Sequence, residues 1–126
     1  MKSKNLLDSF NNAMNGIIYV IKSERNMKIH IAVASAVLIL SLFFKLTHNE
    51  LLIVCISIAF VIICELINTA VEVMVDIIVN EYHPKAKIVK DVAAGAVLVS
   101  AFVSLFVGYF IFFDRVCLVF EEGLQI

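Results

Sequence analysis

Apolar residues fall along this chain in two rhythms. Over the first stretch Leu6, Leu7, Phe10, Met14, Ile17, Ile18 and Ile21 recur at helical spacing, with Asn5, Asp8, Asn11, Asn12 and Asn15 between them. On a helix this pattern gathers one apolar stripe and one polar face. It predicts an amphipathic helix over about residues 4–24 lying on a membrane surface, the alternative being a stripe that packs on other helices. No continuous apolar core followed by a small-residue cleavage site occurs there, so no cleaved signal is expected.

Farther along, the polar interruptions almost stop. Residues 51–64 are uncharged and the apolar run continues past Glu65, while residues 92–113 carry no charge over twenty-two positions. As a helix the latter run measures about 33 Å, enough for a hydrocarbon core of about 30 Å. Residues 29–44 make a shorter run, flanked by Lys28 and Lys45, whose stems let their ammonium groups reach the two interfaces. The chain is therefore expected to be an all-α membrane protein, one domain over residues 1–126, with spans near 29–46, 50–72 and 92–113.

Composition agrees, since 62% of residues are hydrophobic and the mean hydropathy is +1.00, beyond what a soluble domain normally tolerates. A net charge of −1 offers no basic surface for nucleic acid. Cys55, Cys64 and Cys117 lack metal-ligand spacing and read as packing residues. The placement of charge says more than its sum. Lys2, Lys4, Lys22, Arg25, Lys28, Lys85, Lys87 and Lys90 fall on one side of a three-span arrangement, and Lys45 and Arg115 on the other. Because cytoplasmic segments hold the excess of Lys and Arg, the N terminus and an 80–90 loop, marked as a helix break by Pro84, are expected inside, with the C terminus outside. Ala96, Ser100, Ser104 and Gly108 form a small-residue ridge that lets a helix approach closely, in a homo-oligomer or within one chain.

The chemistry gathers on the second span. On a helix, with Glu65 as origin, Asn68 lies at about −60°, Thr69 at about +40°, Glu72 at about −20° and Asp76 at about +20°, so all five share one face. If the span begins at Leu51, Glu65 sits about 21 Å along it, Glu72 meets the inner interface and Asp76 meets water. A carboxylate in hydrocarbon costs several kcal/mol, so such residues mark transport paths, catalytic groups or polar helix contacts. Glu65 suits a general base acting at headgroup depth, with Glu72 and Asp76 available to a cation. An interhelical hydrogen-bond cluster would account for Asn68 and Thr69 alone; two glutamates ask for more.

Glu24-Arg25-Asn26, Glu81-Tyr82-His83 and Lys90-Asp91 converge on the same level. Carboxylates with a lysine are what a magnesium nucleotide needs, the metal taking oxygen ligands and the lysine offsetting phosphate charge. Singly, each also reads as a solvated headgroup-level charge. Neither a G-x-x-x-x-G-K-[ST] loop nor a glycine-rich kinase signature is present.

Two motifs carry a resemblance. Glu65-Leu66-Ile67-Asn68-Thr69-Ala70-Val71-Glu72 and Lys90-Asp91-Val92-Ala93-Ala94-Gly95-Ala96-Val97-Leu98 resemble those of the prokaryotic diacylglycerol kinase and undecaprenol kinase family of integral membrane lipid kinases. Glu24-Arg25-Asn26-Met27-Lys28-Ile29-His30 and Glu81-Tyr82-His83 match as well, and the likeness covers nearly the whole chain. It implies a homotrimer in the bacterial cytoplasmic membrane, with an N-terminal surface helix, three spans per chain and sites shared between chains. It further implies that Mg-ATP phosphorylates a lipid alcohol on the cytoplasmic side. By position, Glu65 would be the base with Asn68 supporting it, and Glu24 and Glu72 would hold Mg2+ on the ATP phosphates. Lys90 and Asp91 would bind nucleotide, with Glu81, Tyr82 and His83 forming part of its wall. Asn5 and Asn12 stand where some relatives have groups suited to nucleotide contact, so no role passes to them.

The wording around Glu24–His30 and Ala93–Ala96 is more similar to the branch whose usual acceptor is undecaprenol, with diacylglycerol the alternative. Two readings of other classes compete. In an oligomeric ion channel or carrier, Glu65 and Glu72 would line a cation path; in a non-catalytic assembly subunit they would only hold helices together.

Overall fold

The computed structural model describes residues 5–123, which form four helices: α1 (Leu6–Ser23), α2 (Arg25–Phe43), α3 (His48–Ile78) and α4 (Pro84–Gly123). Lys2 and Lys4, assigned above to the cytoplasmic side, lie outside those residues.

Each helix end has a local cause. The Asn5 side chain caps α1 by accepting the Asp8 N–H at 2.8 Å. Glu24, extended at φ −94° and ψ 123°, ends α1 and starts α2, so one residue makes the turn. Thr47 and Glu50 form a reciprocal capping box at the start of α3: the Thr47 N–H donates to Glu50 Oε2 at 2.8 Å and the Glu50 N–H to Thr47 Oγ1 at 3.4 Å. Pro84, expected as a helix break within the 80–90 loop, instead opens α4, where a residue without an N–H removes nothing from the helix. The connection shrinks to residues 79–83, and Lys85, Lys87 and Lys90 sit on α4 instead of in a loop.

α2 closes with the Leu46 N–H on the Ser41 carbonyl at 3.1 Å and the Lys45 N–H on the Leu42 carbonyl at 3.2 Å, the paired bonds of a Schellman ending. The residue that must turn left-handed for this is Lys45, at φ 50°. Glycine takes that conformation without a Cβ penalty, so Lys45→Gly is expected to stabilise the fold by about 1 kcal/mol. A rise in thermal midpoint in detergent checks this.

Among the described residues three helices are long and apolar enough to cross a membrane. α3 and α4 overrun the expected spans at both ends, because hydropathy marks the dry part of a helix and caps mark its ends, whereas α2 starts before the expected 29–46 and ends short of it at Phe43. α3 extends about 46 Å and α4 about 60 Å, both longer than the hydrocarbon core. The packing is that of a chain whose solvent is lipid. Ile53, Ile56, Phe60, Phe102, Leu105 and Phe106 point outward, while Ser41, Glu65, Asn68, Thr69 and Ser100 are buried beside Val54, Val61 and Val97. In water that arrangement would squander the hydrophobic effect; in a bilayer it places polar groups where they can find partners.

α3 is the centre, packed closely on α4 and more lightly on α2, while α2 and α4 do not pack on each other among the described residues. Ser57 Oγ donates to Ser104 Oγ at 2.9 Å between α3 and α4. Ser100 is fully buried and Ser104 meets Ser57, so these two members of the small-residue ridge serve contact within one chain, while Ala96 stays exposed. At one end Arg115 donates to both carboxylate oxygens of Glu50, at 2.8 and 3.0 Å; at the other Lys90 pairs with Asp76. These clasps fix the antiparallel register of α3 and α4. On α1, Val20 is buried, whereas Leu6, Leu7 and Phe10 remain exposed, which leaves most of the stripe free to meet a membrane surface.

Candidate functional site

Because α2 and α4 both pack on α3 while their backbones stay apart among the described residues, a groove opens between them along α3. Its lower part is a cavity of about 250 Å³ lined by Asn26, Ile29 and His30 of α2, Glu65 and Asn68 of α3, and Ala94, Val97, Leu98 and Ala101 of α4. Its upper part, about 580 Å³, is lined almost entirely by apolar residues, and His30 and Ala101 border both.

Glu65 is 1% exposed, the most deeply placed carboxylate among the described residues. Its backbone carbonyl accepts the Thr69 hydroxyl at 3.0 Å, but side-chain Oε2 has no hydrogen-bond partner. Asn68 Nδ2 donates to Glu72 Oε1 at 3.2 Å, leaving buried Asn68 Oδ1 unpartnered as well. Two orphaned oxygens lining one cavity are uncommon, since burying such a group unpaired costs about 1–3 kcal/mol or more. The cavity is built to receive a donor.

Down the α3 face exposure rises in order: Glu65, Asn68 and Thr69 are buried, Glu72 is half-buried and Asp76 is exposed. Glu24, at the α1–α2 turn, and Glu72 both act electrostatically on Glu65, which brings three of the expected site residues into one neighbourhood. His30 joins them, its Nε2 4.0 Å from Glu65 Oε2.

The remaining candidates stand apart. Lys90 is paired with Asp76, eleven residues beyond Glu65, so within one chain it lies about 16 Å farther along α3. Asp91 pairs with Lys87 across one turn of α4. Glu81, Tyr82 and His83 occupy the exposed α3–α4 connection, where His83 Nδ1 accepts the Lys85 N–H at 3.2 Å. Asp76, expected to be free for a cation, is engaged by Lys90. The pair is exposed enough to contribute no more than about 1 kcal/mol, so a phosphate could displace it. Among the described residues no three His, Cys, Asp or Glu side chains converge as a metal cluster.

Sequence reasoning placed His30 only inside a motif. An ionisable residue one turn into a span was the available signal. The Lys90–Asp76 clasp had none, because pairing between helices depends on a register that spacing along one helix does not contain.

Residues 11–112 match the family described as prokaryotic diacylglycerol kinase. The chain belongs to this family. An undecaprenol kinase of Bacillus subtilis is 42% identical over 107 residues, covering 85% of this chain and 87% of that protein. A diacylglycerol kinase of Synechocystis sp. is 40% identical over 105 residues, covering 82% of this chain and 60% of the longer relative. The chain is thus a membrane-bound lipid kinase that uses ATP. That sets aside both the channel and the assembly-subunit readings.

Proposed function

We propose that this kinase phosphorylates undecaprenol to undecaprenyl phosphate at the Glu65 cavity, on the cytoplasmic side of the bacterial inner membrane, with the N terminus inside and the C terminus outside. The carrying observation is a buried carboxylate with an unpartnered oxygen, bordering an apolar groove that runs on between helices long and apolar enough to span a membrane. Glu65 accepts the hydroxyl proton as the hydroxyl oxygen attacks the γ-phosphorus in line, and ADP leaves with the bond pair. Asn68 acts through its two ends, one holding Glu72 and the other open to the cavity. Lys90 releases Asp76 to meet phosphate, Asp91 contacts the nucleotide, and Glu81, Tyr82 and His83 form its outer wall.

The donor set fits Mg2+. Glu24 and Glu72 offer hard carboxylate oxygens, each near enough to Glu65 for its charge to act there, and Mg2+ is usually held by one or two carboxylates with substrate phosphates and water completing its shell. When bound, the ion would neutralise charge on the phosphates as it shifts toward the leaving group. A homotrimer with shared sites accounts for the distance of Lys90 from Glu65 within one chain, since a neighbouring chain could bring its nucleotide-binding end to this cavity.

Undecaprenol is favoured by the more similar of the two relatives, whose name is undecaprenol kinase. Diacylglycerol is the second reading, carried by the name of the other. Purified enzyme in mixed micelles, given each alcohol with labelled ATP, decides between them. The expected result is a higher kcat/KM for undecaprenol; faster turnover of diacylglycerol would reverse the assignment.

A further inference from the structure

Glu65 has company that its role as base does not explain. The imidazole of His30 lines the same cavity and faces its carboxylate across the α2–α3 gap. The 4.0 Å between His30 Nε2 and Glu65 Oε2 is too long for a hydrogen bond, yet about 1 Å of side-chain movement makes it one. His30 has room for that movement: its side chain is 21% exposed and borders both parts of the groove. The receiving oxygen is buried and has no other hydrogen-bond partner.

We propose that His30 is a positioning residue for phosphoryl transfer, its Nε2–H donating to Glu65 Oε2 and aiming the other carboxylate oxygen into the cavity. This rests on the reading of Glu65 as the base. In the transfer step the hydroxyl proton passes to Glu65 Oε1 while the new O–P bond forms and the bond to ADP breaks. His30 neither gains nor loses a proton; it carries the hydrogen bond that steadies the carboxylate before the proton arrives. A histidine serving only to pack α2 on α3 would need no N–H and would act the same whatever residue 65 is.

The test compares His30→Leu and His30→Gln with the parent and repeats His30→Leu in a Glu65→Gln background, with rates taken per folded protein from thermal unfolding in detergent. Leucine fills the space without a donor, whereas glutamine reaches with an amide N–H near the Nε2 position. His30→Leu is expected to lower kcat about 10–100-fold, the range for losing a hydrogen bond to a charged group. KM for ATP and for the lipid alcohol should change by less than about threefold, because the interaction acts on the chemical step. His30→Gln should recover most of the rate, and His30→Leu should add nothing to the residual rate of Glu65→Gln. Parental kcat in His30→Leu, a loss that glutamine fails to recover, or an equal further loss in the Glu65→Gln background would each overturn the positioning role while leaving Glu65 as base. Full activity in Glu65→Gln itself would remove the base, and the proposal with it.

Discussion

Glu65→Gln is expected to lower phosphoryl transfer by about 10²–10⁴-fold, the contribution usual for a positioned general base, while leaving nucleotide binding intact. The amide matches the carboxylate in shape, and its donors can use the unpartnered Asn68 Oδ1, so the fold should survive in a pocket where Glu65 is 1% exposed. What the amide lacks is the capacity to take the hydroxyl proton. Because that capacity matters only as the proton moves, kcat and kcat/KM should fall together, with KM for either substrate little altered. Glu65→Asp should lie between, its carboxylate drawn back by one methylene. Labelled-phosphate transfer into lipid, with nucleotide binding measured separately, gives both numbers. A Gln variant within about tenfold of the parent would end Glu65's candidacy as base.

How far such a site can be read from sequence depends on which distances it uses. The face shared by Glu65, Asn68, Thr69 and Glu72 was legible, because one helix's pitch fixes it, and the four stand together in the structure, grading from buried to half-buried. The uncharged run over residues 92–113 was legible as a span for the same reason. The ends of α3 and α4 were not read from hydropathy, although Thr47-His48-Asn49-Glu50 spells a capping box and Pro84 suits a first helical position. The contacts between helices escaped: His30 beside Glu65, Lys90 on Asp76, Arg115 on Glu50. Each depends on how far one helix slides along its neighbour, a quantity set by packing across the whole interface. Ser100 and Ser104 are a different case. Their spacing was legible as a close-approach surface, but the spacing alone did not say which helix approaches, and α3 of the same chain does.

Glu72→Gln is the second large effect expected, and it separates the metal from the base. Glu72 is half-buried, tied to Asn68 through Oε1, and near enough to Glu65 for its charge to be felt there. Converting it to an amide removes the charge of one of the two carboxylates assigned to the metal. If Glu72 and Glu24 together hold Mg2+, the concentration of Mg2+ giving half-maximal rate should rise about 10–100-fold, and part of the lost activity should return at high Mg2+. Loss of a pure base behaves otherwise, since no amount of metal replaces a missing proton acceptor. Titrating Mg2+ at fixed ATP in the parent, Glu72→Gln and Glu65→Gln therefore sorts the roles: the first variant shifts the curve along the metal axis, and the second lowers its plateau. Glu72→Asp should shift it less than Glu72→Gln, because the charge remains and only its reach shortens. An unshifted curve for Glu72→Gln would show that the carboxylate serves Asn68 and the helix, and that the metal's oxygens come from elsewhere.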